Sequence, residues 1–82
     1  MIVSEIKCFN DVVEQLCNVR KCFLVKHTGN MYTIRSSRPT LADDVAYFSA
    51  ACDCYMATMY GSTAWIDAVD FTENTITLGV NC

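Results

Sequence analysis

Six cysteines and one histidine are the residues of this chain that could bind a metal, form disulfides or act as nucleophiles. The cysteines are Cys8, Cys17, Cys22, Cys52, Cys54 and Cys82. No C-x-x-C pair occurs, and on a helix the thiols of Cys52 and Cys54 would point about 200° apart. We therefore predict free thiols that are buried as small hydrophobic side chains, with no metal or other cofactor. A cysteine-based redox or metal-binding protein remains the alternative, as does a disulfide framework whose pairing the sequence does not define.

No recognised catalytic motif is present. The chain lacks nucleotide-binding glycine loops, a zinc-protease helix and a calcium-binding loop. A general base would have to be His27, which we expect to stack on Tyr32 at a strand end. Asp67 and Asp70 are poor partners for one reaction, because their spacing in a regular strand points them to opposite faces. We expect no enzymatic activity.

The charged residues are distributed unevenly along the sequence. The 82 residues carry six Lys/Arg and nine Asp/Glu, a net charge of −3. All the basic residues and three acids lie in residues 1–41, whereas residues 42–82 contain six acids and no base. The two halves therefore have net charges of +3 and −6. A net negative charge argues against direct binding of nucleic acid, which normally requires a basic surface.

Local structure accounts for about half of the acids in the second part. The positive end of a helix dipole favours Asp43 and Asp44 in a first turn, and Glu73 suits a turn. Asp53, Asp67 and Asp70 have no such explanation. Internal neutralisation by Lys26, Arg35 or Arg38 is one alternative, and a second is a surface that binds a basic partner protein.

We predict that the acidic half forms such a binding surface. An exposed tyrosine at position 47 would add the aromatic contact that is typical of interfaces. The predicted partner-binding residues are Asp43, Asp44, Tyr47, Asp53, Asp67 and Asp70. The most basic intracellular surfaces are those of nucleic-acid-binding proteins, which an acidic protein could inhibit or regulate by replacing phosphates with carboxylates.

In size, acidity and lack of catalytic motifs, the chain is similar to small phage-encoded inhibitors, anti-CRISPR proteins among them. The resemblance implies a protein of the host cytoplasm. Neither a secretory signal nor an apolar run long enough to cross a membrane is present, so we expect a cytoplasmic protein without a membrane partner. A homodimeric accessory protein is a further alternative, with self-association through the second helix or through the edge of the last strand near Val80 and Cys82.

The elements that must position these residues alternate between helices and hairpins. Residues 10–20 predict a helix capped by Asn10, whereas residues 2–7 could extend it or form a strand. Residues 22–36 predict a hairpin around Gly29-Asn30 that pairs Val25 with Ile34 and His27 with Tyr32. Phe23 and Val25 would then face the core.

A second helix and a second hairpin follow the only proline. A helix from about Leu41 to Tyr60 is predicted from a capping box formed by Thr40 and Asp43, and Gly61 would end it. Its core stripe consists of Val45, Phe48, Cys52, Tyr55 and Met59.

Residues 64–71 and 75–81 predict the second hairpin. The core side chains expected from it are Val69, Phe71, Ile76, Leu78 and Val80. We therefore predict a single α+β domain over residues 1–82, in αββαββ order. Two helices would cover one face of an antiparallel sheet of four strands, or of five if residues 2–7 form a strand.

Overall fold

The computed structural model describes the backbone of residues 3–81 and the side chains of residues 9–81. Two helices lie on one face of a four-stranded antiparallel sheet, as the sequence predicts. The helices are α1 (Val3–Arg20) and α2 (Leu41–Thr58). The strands are β1 (Phe23–Thr28), β2 (Met31–Arg35), β3 (Thr63–Asp70) and β4 (Thr75–Asn81). Their order in the sheet is β1-β2-β4-β3.

Helix α1 begins well before the predicted cap. Residues 3–7 are helical, so the described part of the ambiguous segment extends the helix; Ile2 lies outside the described residues. Asn10 is therefore not a cap, and its amide instead donates to Glu14 one turn later. Phe9 accounts for the extension, because its ring packs edge-on between Tyr32 and Tyr55 and fixes the turn before Asn10.

A bulge changes the predicted register of the first hairpin. His27 pairs with Tyr32 as predicted, and their rings stack with centroids 4.0 Å apart. Ile34, however, pairs with Leu24, because Val25 occupies a bulge. The extra residue reverses the side of the sheet to which the preceding residues point, so Leu24 faces the core and Phe23 points away from it. The prediction that Phe23 and Val25 face the core is therefore wrong, and Phe23 is 69% exposed.

The second helix and hairpin follow the prediction closely. In the core stripe of α2, Phe48, Cys52 and Tyr55 are buried, while Val45 and Met59 pack against them. Ile76, Leu78 and Val80 face the helices from β4. Phe71 is an exception, because β3 ends at Asp70 and leaves this ring exposed in the turn.

Strand β4 lies inside the sheet, between β2 and β3. The prediction that its edge near Val80 could self-associate is therefore wrong, since both sides of β4 are already paired. The edges are β1 and β3, and each contains a bulge, at Val25 and at Asp67. Bulges at sheet edges hinder pairing with another strand.

Asp44 is the buried polar centre of the fold. Its side chain is fully buried and receives hydrogen bonds from four others. The donors are Arg20 Nε at 2.8 Å, Thr40 Oγ1 at 3.1 Å, Cys22 Sγ at 3.3 Å and Ser36 Oγ. They connect the end of α1, the residue before β1 and the segment after β2 to the first turn of α2. The predicted capping box is wrong, because the Thr40 hydroxyl binds Asp44 and Asp43 takes no part.

The same hydrogen bonds determine the charge of Asp44. Burial on its own would raise the pKa of this carboxyl. The hydrogen bonds from Ser36, Arg20, Cys22 and Thr40 favour the ionised form, and together they hold the pKa below its ordinary value of 3.8. Asp44 is thus a buried carboxylate that is fully hydrogen-bonded and paired with Arg20.

We expect Asp44→Asn to lower the free energy of unfolding by roughly 2–3 kcal/mol, since a hydrogen bond to a charged group contributes roughly 1.5–3 kcal/mol. The matched control is Asp43→Asn, which removes an exposed charge from the next residue and should change stability by less than about 0.5 kcal/mol. Urea unfolding at neutral pH measures both. Equal effects of the two variants would contradict the central role of Asp44.

We expect low pH to remove the contribution of Asp44 to the free energy of unfolding. A depressed pKa means that the unfolded chain takes up this proton at a higher pH than the folded protein does. The stabilisation is therefore complete above the ordinary value of 3.8 and disappears as pH falls through the lower pKa of the folded state. Urea unfolding of the wild type and of Asp44→Asn from about pH 7 to about pH 2 should show their stability difference shrinking at the acid end. A difference that stays constant with pH would argue against an ionised Asp44.

Candidate functional site

The six residues predicted to bind a partner do not form one surface. Asp44 is buried beneath the others and is not accessible to a partner. Asp43, Tyr47 and Asp53 lie on the exposed side of α2. Asp67 and Asp70 lie on β3, at the edge of the sheet. The acidic half of the sequence is therefore divided between the helix layer and the sheet.

The two aspartates of β3 also have local structural roles. The indole Nε1 of Trp65 donates to Asp67 at 3.3 Å. Asp70 accepts hydrogen bonds from the backbone N–H groups of Thr72 and Glu73, which closes the β3–β4 turn. Asp67 lies on the same side of β3 as Trp65, as two residues of a strand that are two positions apart normally do. The bulge at Asp67 shifts the residues that follow, so Asp70 shares this side rather than facing away from Asp67 as the regular spacing predicts.

The exposed carboxylates of the described helix residues form no ion pair. Among the described side chains, Arg20–Asp44 is the one ion pair. Neutralisation of the acids by Lys26, Arg35 or Arg38 therefore does not occur within residues 9–81. We call the solvent-facing side of α1 and α2 the helix face. Its exposed carboxylates are those of Asp11, Glu14, Asp43 and Asp53.

Arg20 adds little positive charge to the helix face, because it is already engaged. Its guanidinium group binds Asp44 and lies over the ring of half-exposed Tyr47, 4.2 Å from the ring centroid. A cation over an aromatic ring is attracted to its negative face. Tyr47 is thus held against the end of α1 while part of its ring remains available to a partner.

An apolar groove that was not predicted from the sequence runs between the two helices. It consists of two concavities of about 340 Å³ and about 190 Å³ that share Val12 and Ala51. The helices run antiparallel, since Phe9 contacts Tyr55 at one end and Arg20 contacts Asp44 at the other. The groove lining includes Val12, Leu16, Val19, Ala51, Cys54 and Thr58.

A sequence signal for the groove does exist. Val12, Leu16 and Val19 recur at helical spacing beside the core stripe of α1, and Val19 is 71% exposed. Ala51 is small, so it leaves a gap on the facing side of α2. The alanine-rich composition of α2 indicates close approach to another element, but only the packing of α1 shows where the gap lies.

The described thiols differ in their surroundings. Cys17, Cys22, Cys52 and Cys54 are free, and of these only Cys54 is exposed. Burial raises the pKa of Cys17 and of Cys52 to about 11 and that of Cys22 to about 12. No group of three or more His, Cys, Asp or Glu side chains placed to hold a metal ion occurs among the described residues. The side chains of Cys8 and Cys82 lie outside them.

Comparison with protein-family models, with curated proteins and with solved structures finds no match. No helix within the described residues is long and apolar enough to cross a membrane. The function must therefore be inferred from the surfaces themselves.

We expect alkylation of the native protein to separate Cys54 from the buried thiols. At a pKa of about 11, the thiolate is roughly 100-fold rarer than at the ordinary value of 9.0, and burial also blocks access. Peptide mass spectrometry after brief treatment with iodoacetamide should find Cys54 modified and Cys17, Cys22 and Cys52 protected until urea is added. Rapid modification of Cys52, or of Cys17 or Cys22, would instead favour the redox alternative.

Proposed function

We propose that this protein is a protein-interaction module that binds a basic surface of a partner through its helix face. The observation that carries the proposal is an apolar groove between two helices whose exposed sides carry carboxylates with no ion-pair partner among the described side chains. Apolar contact with the groove would supply affinity, while the carboxylates would attract a basic partner and repel an acidic one.

The chemistry of the surface favours a particular kind of partner segment. Helices that bind in grooves insert apolar side chains at helical spacing and place polar side chains outside the groove. Here the outer positions would meet exposed carboxylates of the helix face such as Asp11 and Asp43, so lysine or arginine fits them best. Basic segments of this kind are common in proteins that bind nucleic acid. Occupying one would compete with phosphates, which makes inhibition or regulation of such a partner the proposed outcome.

Asp67 and Asp70 do not belong to this surface. They lie on β3 and bind Trp65 and the turn, so the proposed binding residues are Asp43, Tyr47 and Asp53 together with the groove. Asp44 contributes indirectly: it binds Arg20, whose guanidinium group would otherwise be an unpaired positive charge at one end of the groove.

We expect Asp43→Lys combined with Asp53→Lys to weaken partner binding at least about tenfold, since reversed charges turn attraction into repulsion. The matched control is Asp67→Lys combined with Glu73→Lys, which makes the same change in net charge away from the helix face and should bind normally. The partner is first captured on immobilised protein and identified by mass spectrometry. Affinities are then measured with purified partner at nanomolar concentrations of this protein, and circular dichroism confirms that each variant is folded.

Blocking the groove separates its role from that of charge. Ala51→Glu places a bulky carboxylate between the helices, so it should abolish binding although the surface becomes more acidic. If this variant bound the partner normally, the groove could not be part of the binding site. If the Asp43→Lys, Asp53→Lys variant and its control lost the same amount of affinity, binding would depend only on the net charge of the protein. That result would overturn the proposed site.

A further inference from the structure

The second face of the sheet carries no helix within the described residues. Both helices pack on the face formed by Tyr32, Ile34, Ile76 and Leu78, so the alternate residues of each strand point the other way. We call this second surface the open face. It is rich in threonine and also contains Phe23, Lys26, Met31, Arg35 and Trp65.

The strand register arranges the open face in three rows that cross all four strands. In the order β1, β2, β4, β3, the rows are Thr28–Met31–Gly79–Trp65, Lys26–Thr33–Thr77–Ala68 and Phe23–Arg35–Thr75–Asp70. Residues of one row are cross-strand neighbours on the same face. The rows define which side chains would meet if another sheet packed against this one.

The open face has a ridge on one half and a hollow on the other. The Trp65 ring lies over Gly79, where a Cβ atom would overlap it, so the indole forms a ridge on the β3–β4 side. A hollow of about 280 Å³ lies on the β1–β2 side. Its lining is Lys26, Thr28, Met31, Thr33 and Thr77.

Charge is divided across the open face in the same way. Lys26 and Arg35 lie on β1 and β2, whereas Asp67 and Asp70 lie on β3 at the opposite edge. Within residues 9–81 none of these four side chains is in an ion pair. The face thus pairs a basic half that contains a hollow with an acidic half that contains a ridge.

We propose that the open face binds a second copy of this chain, with the two-fold axis parallel to the strands and between β2 and β4. This rotation places β3 of one copy over β1 of the other. Positions along the strands do not change, so each row faces the same row of the second copy. Lys26 then meets Asp67 of the second copy, and the Trp65 ridge of the second copy enters the hollow. Arg35 and Asp70 approach each other at the third row.

The other two-fold arrangement of stacked sheets is unfavourable. With the axis perpendicular to the strands, β1 lies over β1, so Lys26 meets Lys26 and the acidic strands face each other. Like charges across an interface are costly. The observed strand order therefore selects one of the two stackings, and in that stacking the face is complementary to itself in both charge and shape.

A second copy also fits this face better than it fits the helix face. Among the described side chains, the unpaired charges of the helix face are all carboxylates, which would repel one another across a two-fold axis, whereas the open face carries both signs. Dimerisation would also bring Phe23, 69% exposed in the single chain, beside the turn that carries Phe71. With strands about 4.8 Å apart, the four-stranded footprint is at the small end of stable interfaces, so we expect a reversible dimer in the micromolar range.

Sedimentation velocity of two complementary variants tests the proposal. Lys26→Glu and Asp67→Lys should each weaken the dimer at least about tenfold, because each one replaces both Lys26–Asp67 contacts with like charges. An equimolar mixture of the two should dimerise again, since every contact in the mixed dimer pairs opposite charges. The helix-face variant, Asp43→Lys with Asp53→Lys, should dimerise as the wild type does.

Thr77→Arg provides a second test that does not depend on the ion pairs. Thr77 faces Thr33 of the second copy near the axis, so the longer, charged side chain should prevent dimerisation. A wild type that stays monomeric at hundreds of micromolar would overturn the proposal. It would be overturned equally by a mixture of the charge variants that stays monomeric, or by Thr77→Arg dimerising normally. None of these results bears on partner binding at nanomolar concentrations, so the two proposals can fail separately.

Discussion

The buried carboxylate of Asp44 is the constraint on which the relative positions of the elements depend. A buried charge without partners would cost several kcal/mol, so the surrounding segments must place donors around it. The donors come from the end of α1, the residue before β1 and the segment before α2, and they are Arg20, Cys22, Ser36 and Thr40. The fold therefore places the end of α1 beside the start of α2, which makes the helices antiparallel and defines the groove between them. The same contact engages Arg20, and so leaves the described carboxylates at the surface of the helices without an ion-pair partner.

Much of the fold could be predicted because its signals are local. The Gly29-Asn30 turn, the buried stripe of α2 and the alternation in β4 each depend on a few neighbouring residues, and the structure agrees with them. Errors arose where a distant contact decides the outcome. Phe9 continues α1 past Asn10 because its ring packs against Tyr32 and Tyr55. The bulge at Val25 changes the faces of β1 although its sequence alternates normally. No pattern within β1 distinguishes a bulged strand from a regular one.

The candidate site shows even more clearly that local sequence does not predict an outcome that depends on distant contacts. Asp43 and Asp44 are adjacent and chemically identical, and both suit the first turn of a helix. One is exposed and the other fully buried, because only Asp44 points towards Arg20 and the hydroxyl groups before α2. Counting charges along the sequence identified an acidic half, but it could not divide that half between two surfaces. That division follows from the layers, since Asp43 and Asp53 lie on α2 and Asp67 and Asp70 on β3. The order β1-β2-β4-β3 then separates the acids of the sheet from its bases, because it places β3 at the opposite edge from β1.

The two proposed surfaces are compatible because they lie on opposite sides of one layer of strands. Each helix face points away from the open face, so a dimer joined through its open faces would carry two helix faces directed outwards. A partner with two basic segments, or two partners on one nucleic acid, could then be bound by one dimer, and the second contact would form at a high effective concentration. This arrangement would explain the uneven distribution of charge along the chain. Under the two proposals, acids on the helices would favour a foreign basic partner, whereas the sheet, with acids at one edge and bases at the other, would favour its own copy.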